Sequence, residues 1–206
     1  MMNSLYDIVR SGKIYSEAIE SGVNVEIIPL QSYNQWDRLT TELESDVYYY
    51  SKYLLSFDSY SEGLGFAVSI KSGEARYFEP FRVRKIGCKG YEDYCDVSSE
   101  YGYAGPLCIG DKAFAASALQ ALKLFFNKHK VVCTFVRYHP LLKNQELVEG
   151  IRNTVSCNTT VYIDTSLSFD DILGRLHPKK RNDYKRAIKK GTRVRYGGDS
   201  ALLNHT

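Results

Sequence analysis

The chain has 206 residues, enough for one large domain or for one domain and part of another, and 44% hydrophobic with 13% aromatic content is enough for a packed core. Its net charge of +3 hides an asymmetry: from Arg175 to Arg195 ten basic residues meet one acid, Asp183, so that segment carries +9 and the remainder −6. The five cysteines (Cys88, Cys95, Cys108, Cys133 and Cys157) are odd in number and lack Cys-x-x-Cys spacing, which argues against a zinc site or a disulfide framework. Met1 is not followed by a basic flank and a long apolar run, and no stretch reaches the length of a membrane span. The expectation is a soluble cytoplasmic protein with reduced thiols.

In chain order, Leu5 to Ile19 has a loose helical pattern that stops at Gly22. Val23, Val25 and Ile27 alternate with polar residues up to Pro29, as a strand does. Ser32 and Gln35 are spaced as a capping box that opens a helix with Trp36, Leu39 and Leu43 on one face. The aromatic run Tyr48 to Phe57 reads as a second helix whose tyrosines serve as core and rim. Gly65 to Ile70 and Ala75 to Phe78 flank a Lys71-Ser72-Gly73 turn, which makes a hairpin, and Phe81 to Ile86 continues as strand. After a loop at Gly87 to Glu92 comes a short apolar stretch, Tyr94 to Val97. Ala113 to His129 is the best helix, with Phe114, Leu119, Leu122, Phe125 and Phe126 in its stripe. Val131 to Tyr138 predicts a buried strand ended by His139-Pro140. A short helix near Asn144 to Gly150 and a strand over Thr154 to Ile163 follow. Beyond Asp164, Phe169 to Leu176 and Lys179 to Lys190 are helical, Gly191 is a stop, and Arg193 to Tyr196 is a further strand before a Gly197-Gly198 turn. Hairpin strands mixed with crossovers predict an α/β (α+β) fold, a mixed and largely antiparallel sheet flanked by helices, with a basic helical extension at the C-terminal end.

Three places carry candidate chemistry. Ser98 to Leu107 sets Tyr101 and Tyr103 around Gly102, with Gly105 before Pro106, a shaped turn that holds two rings. Such rings suit sugars, peptides or nucleotides, or they simply pack on the core. On the basic helix, Lys180, Arg181 and Lys185 can take phosphate from a nucleotide-linked donor, a tRNA backbone or another nucleic acid, or form a solvated face. A charge of +9 in one segment repels itself in the absence of a partner. Arg137-Tyr138-His139-Pro140 ends the predicted buried strand, where α/β sheets place ligands; His139 is a candidate acid, base or donor, or a residue satisfying its own loop. Asp93 and Asp96 near the tyrosine loop are weaker candidates. There is no Gly-x-Ser-x-Gly elbow, P-loop or dinucleotide fingerprint, nor an Arg/Gln-x-x-Gly-x-Gly/Ala cradle for coenzyme A before the Ala113 helix.

Four blocks stand in order: Asp96 to Pro106, Val136 to Asn144, Thr160 to Thr165 and Lys180 to Gly191. Together they resemble the FemAB-like branch of the GNAT acyltransferase superfamily, and the element order is similar to the GNAT fold. The resemblance implies N-acyl or aminoacyl transfer to an amine of a cell-envelope polysaccharide or peptidoglycan precursor, nucleotide-linked or lipid-linked. Acyl-CoA or aminoacyl-tRNA would be the co-substrate, with no tightly bound cofactor. It further implies two GNAT-like lobes with the active site between them. On that pattern, 1–22 is a helical extension, 23–166 a first lobe, and 167–206 a basic linker with the start of a second lobe. The rest of that lobe has no counterpart after about Tyr196. Carried over by position, Tyr101, Tyr103, Gly105, Arg137 and His139 line the acceptor side, and Lys180, Arg181 and Lys185 face phosphates. No general base is assigned. The alternative is a non-catalytic binding module that needs a second lobe, a partner chain or self-association.

Overall fold

In the computed structural model, which describes residues 4–19, 23–58 and 62–194, the chain forms two compact units, Met1–Ser156 and Cys157–Thr206. The first is organised on a sheet of seven strands among the described residues: β1 (Tyr15–Ala18), β2 (Asn24–Pro29), β3 (Leu64–Ser72), β4 (Ala75–Lys85), β5 (Cys95–Ser98), β6 (Leu107–Ile109) and β7 (Val131–Phe135). Their order is β1-β2-β3-β4-β5-β7, and β6 pairs with β4 beside the hairpin turn. Every pairing is antiparallel except β5 with β7. This is the mixed, largely antiparallel, helix-flanked sheet that the sequence predicts.

Helices cover both faces. On one face α1 (Leu5–Arg10) and α4 (Lys112–Lys128) bury Leu5, Val9, Leu122 and Phe125 against Ile27, Val68 and Phe81. On the other, α2 (Tyr33–Glu42) and α3 (Ser51–Asp58) bury Trp36, Leu39 and Leu54 against Ile28, Ala67 and Phe78. Successive strand residues point to opposite faces, so β3 is buried without a break from Gly65 to Ile70 because both faces are covered. Trp36 fixes α2 in place. Its indole N–H donates to the Tyr49 carbonyl at 2.7 Å, and its ring meets Phe78 edge-on at 5.4 Å. The α4 helix starts where Asp111 Oδ1 accepts the Phe114 N–H at 2.8 Å, a side-chain cap that satisfies one of the helix's open donors.

Several expected elements differ. The helix predicted over Leu5 to Ile19 ends at Arg10; a turn at Ser11 to Lys13 follows, and Tyr15–Ala18 becomes edge strand β1 paired with β2. Gly22, its expected stop, lies outside the described residues. The α2 helix is present, but Ser32 makes no side-chain cap; Gln35 instead donates to Glu26 on β2 at 3.2 Å, a tertiary partner that wins over the local one. The aromatic helix is interrupted: a single 3-10 turn over Val47–Tyr49 precedes α3. Leu107–Ile109 is a strand that periodicity misses, because three residues are too few to show alternation.

The predicted buried strand Val131 to Tyr138 is shorter, and as β7 it is a sheet edge with Val132 and Phe135 both 62% exposed. Residues 153–164 contain no strand, and Val155, Val161 and Ile163 are exposed; β-propensity expresses fit to a half-buried surface, which these side chains do not meet. Of the last predicted strand, Arg193 and Val194 are described and form none, while Arg195 onward, with the Gly197-Gly198 turn, lies outside the described residues.

The second unit holds α5 (Phe169–Arg175) and α6 (Pro178–Lys189), close to their predicted spans. Ser168 caps α5 by accepting the Asp171 N–H at 3.2 Å. Pro178, with its fixed φ, opens α6, and His177 accepts the Lys179 N–H at 3.3 Å. Phe169 and Tyr184 touch with ring centroids 5.7 Å apart, yet no residue of either helix is buried.

Candidate functional site

The tyrosine–glycine loop between β5 and β6 rests on the aromatic turn that precedes α3. Gly102 has φ +96°, and a Cβ there would lie 2.7 Å from two ring carbons of Tyr48 and 2.8 Å from the Tyr53 hydroxyl. Only a glycine fits so close an approach in that conformation. The loop rings join a continuous aromatic chain. Tyr48 meets Tyr53 at 5.1 Å, Tyr103 at 5.4 Å and His139 at 5.7 Å, all edge-on. Tyr53 meets Phe57 at 5.1 Å, and Phe57 meets Tyr101 at 5.2 Å. Tyr101 is 67% exposed and forms the solvent end of this platform; Tyr103 is half-buried. The rings are therefore packed at one end of the chain and exposed at the other.

Beneath the platform, Asn144 clamps the loop. Its Oδ1 accepts the His139 backbone N–H at 3.0 Å, and its Nδ2 donates to the Tyr49 hydroxyl at 2.8 Å and the Ala104 carbonyl at 2.9 Å. Gly105, at φ +103°, lies against it: a Cβ there would stand 2.7 Å from Asn144 Nδ2. His139 is equally fixed. Its Nδ1 accepts the N–H groups of Leu141 and Leu142 at 3.2 Å each, so the ring proton sits on Nε2 and is donated to Asp46 at 3.0 Å. Both ring nitrogens are engaged, and the ring is buried. In this geometry His139 orients its neighbours, and neither nitrogen is open to move a substrate proton. Arg137 is exposed, and its backbone N–H donates to Ser99 Oγ at 3.1 Å.

Carboxylates edge the platform. Asp46, on His139, has a side chain 33% exposed, and Asp58, at the end of α3, one 42% exposed. Arg82 Nε donates to Glu100 Oε1 at 2.8 Å, while its other nitrogens reach Asp58 at 3.1 Å and the Gly63 carbonyl at 2.8 Å. Burial pushes the Glu100 carboxyl above its ordinary range, with Arg82 acting against the rise. Behind the loop, Arg152 grips the fully buried Glu79 with two bonds of 2.6 and 2.8 Å, and Tyr77 Oη also donates to Glu79. Burial acts to lower Arg152, but Glu79 holds it protonated above its usual value; burial raises the Tyr138 hydroxyl.

Tyr101, Tyr103, Gly105 and His139 are thus brought into one neighbourhood of the first unit. The same neighbourhood contains Asp46, Tyr48, Tyr53, Phe57 and Asn144, which sequence reasoning did not single out; the density of tyrosines from 48 to 53 was the available signal. Lys180, Arg181 and Lys185 stand on α6 of the second unit, where Arg181 Nη1 donates to the Gly174 carbonyl at 3.3 Å. Asp93 pairs with Lys130 at 2.9 Å and Asp96 with Arg84 at 3.0 Å, so both serve local ion pairs. Among the described residues no group of three or more His, Cys, Asp or Glu side chains could hold a metal ion.

No family model, curated protein or solved structure matches this chain. No described helix is long and apolar enough to cross a membrane.

Proposed function

We propose that the chain is a FemAB-like N-acyltransferase unit that binds an amino sugar or peptide amine of a cell-envelope precursor on the tyrosine platform. The observation that carries this reading is the glycine-seated aromatic chain from His139 through Tyr48, Tyr53 and Phe57 to exposed Tyr101, bordered by Asp46 and Asp58. Ring faces suit the apolar side of a sugar, and carboxylates attract an amine that is cationic in water. The neutral amine attacks the carbonyl of a thioester or ester. The new C–N bond forms, the C–S or C–O bond breaks, and the amine's proton ends on the departing thiolate or alkoxide. Positioning carries much of the rate. Acyl-CoA or aminoacyl-tRNA is the donor, and Lys180, Arg181 and Lys185 take its phosphates or those of the acceptor.

The test is transfer from labelled acyl-CoA or aminoacyl-tRNA to UDP-amino sugars and lipid-linked precursors. Tyr101→Ala is expected to raise KM about fivefold with kcat little changed, the size of one lost aromatic contact. A second reading, a binding module without turnover, is favoured by one observation: both nitrogens of His139 are engaged. Saturable binding of the amino sugar, weakened by Tyr101→Ala and accompanied by no transfer from either donor, would select it. Absence of both binding and transfer overturns the two together.

A further inference from the structure

The second unit carries an apolar stripe beside its phosphate-binding cations, and the acyl-transfer reading gives that stripe no role. In α6, Tyr184 and Ile188 lie four residues apart on one face, and Phe169 of α5 packs beside Tyr184. Phe169 and Ile188 are each 58% exposed and Tyr184 is 38% exposed. Lys180 and Arg181 border this stripe by their spacing from Tyr184, and Lys185 and Lys189 extend the charge around the helix. The apolar stripe is narrow, the polar face is overwhelmingly cationic, and Asp183 is the one acid between Arg175 and Arg195.

We propose that this face docks on the surface of an anionic lipid bilayer, with α6 lying in the interfacial plane. Two features favour a bilayer over a nucleic acid. Phosphodiesters reward the lysines and arginines equally well and unpaired bases can stack on Phe169, but a nucleic acid offers nothing to exposed Ile188. An interface with anionic headgroups takes both the cations and the apolar stripe. At 12 residues α6 is too short to span the hydrocarbon layer, so it lies on the membrane without crossing it. The inference rests on the second unit alone and holds whether or not the first unit transfers acyl groups.

The experiment is co-sedimentation of the full chain with phosphatidylcholine vesicles and with vesicles containing about 30% phosphatidylglycerol, at low and high salt. Binding is expected only to the anionic vesicles, and it should fall as salt rises. Lys180→Glu with Lys185→Glu should weaken it at least about tenfold, since each cation near such a surface contributes about fivefold. Phe169→Ser with Ile188→Ser should weaken it about fivefold or more through lost apolar burial. Circular dichroism of both variants confirms that the helices persist. Equal binding to neutral vesicles overturns the proposal, as does unchanged binding of the Phe169/Ile188 variant. Tighter binding to duplex RNA than to anionic vesicles, insensitive to Phe169 and Ile188, also overturns it and assigns the face to nucleic acid.

Discussion

Asn144 shows how one side chain holds the candidate site together. It is 3% exposed and satisfies a backbone donor, a backbone acceptor and the Tyr49 hydroxyl at once. Removing it leaves the buried Tyr49 hydroxyl without its amide partner, while the His139 N–H keeps the Ala104 carbonyl at 3.0 Å; a buried polar group that loses its partner costs about 1–3 kcal/mol. Asn144→Ala is therefore expected to destabilise the protein by about 1–3 kcal/mol in urea unfolding. A loss below about 0.5 kcal/mol would show that water replaces the amide without penalty and that the clamp is dispensable. His139 teaches a complementary lesson. Its type marked it as an acid–base candidate, yet the N–H groups of Leu141 and Leu142 and the Asp46 carboxylate occupy both nitrogens. Residue identity named the group, and its partners decided what it does.

Among elements, β1 is the least expected, and a few polar contacts secure it. Glu17 of β1 faces the end of α4, with its carboxylate 2.7 Å from His129 Nε2 and paired with Lys128 Nζ. Burial acts to raise the Glu17 carboxyl, but the hydrogen bonds from Lys128, His129 and Tyr15 outweigh it and hold it below its ordinary value. A depressed carboxyl contributes stability above its unfolded-state pKa and loses it as pH falls through the folded-state value. Glu17→Gln should thus be less stable than the native chain at pH 7. The gap should narrow as the two are acidified below the ordinary carboxyl range, followed by urea unfolding across pH. A gap that stays constant with pH would mean that the charge of Glu17 contributes nothing. The pattern Leu5, Ile8, Val9, Ala18, Ile19 concealed this element, since a short helix and a short strand in succession imitate one long helix.

For the whole molecule, burial separates the two units. The first has an apolar core on each face of its sheet, and the helices of the second bury no residue. Backbone hydrogen bonds supported by few buried contacts open at low free-energy cost. Hydrogen exchange should therefore find β3, β4 and the buried face of α4 strongly protected, with amides of α5 and α6 exchanging orders of magnitude faster. Comparable protection in α6 and α4 would refute this. The charge distribution follows the same division, because the helices without a core carry seven of the ten basic residues of the +9 segment.

Local physics was legible wherever the chain alone decides it. The Ala113 helix, the Lys71 to Gly73 hairpin, the helix stopped by Gly191 and the sheet class all follow from periodicity and turn chemistry within a few neighbouring residues. The tyrosine–glycine loop was recognisable as a shaped turn because positive φ at Gly102 and Gly105 is a backbone requirement. What surrounds a residue was not legible. Whether β7 is central or an edge, whether residues 153–164 form a strand, and whether His139 is available all depend on groups distant in sequence, such as β5 or Asp46. Propensity is a property of a segment, whereas burial and hydrogen-bond partners are properties of its neighbours, and only the folded chain brings those together.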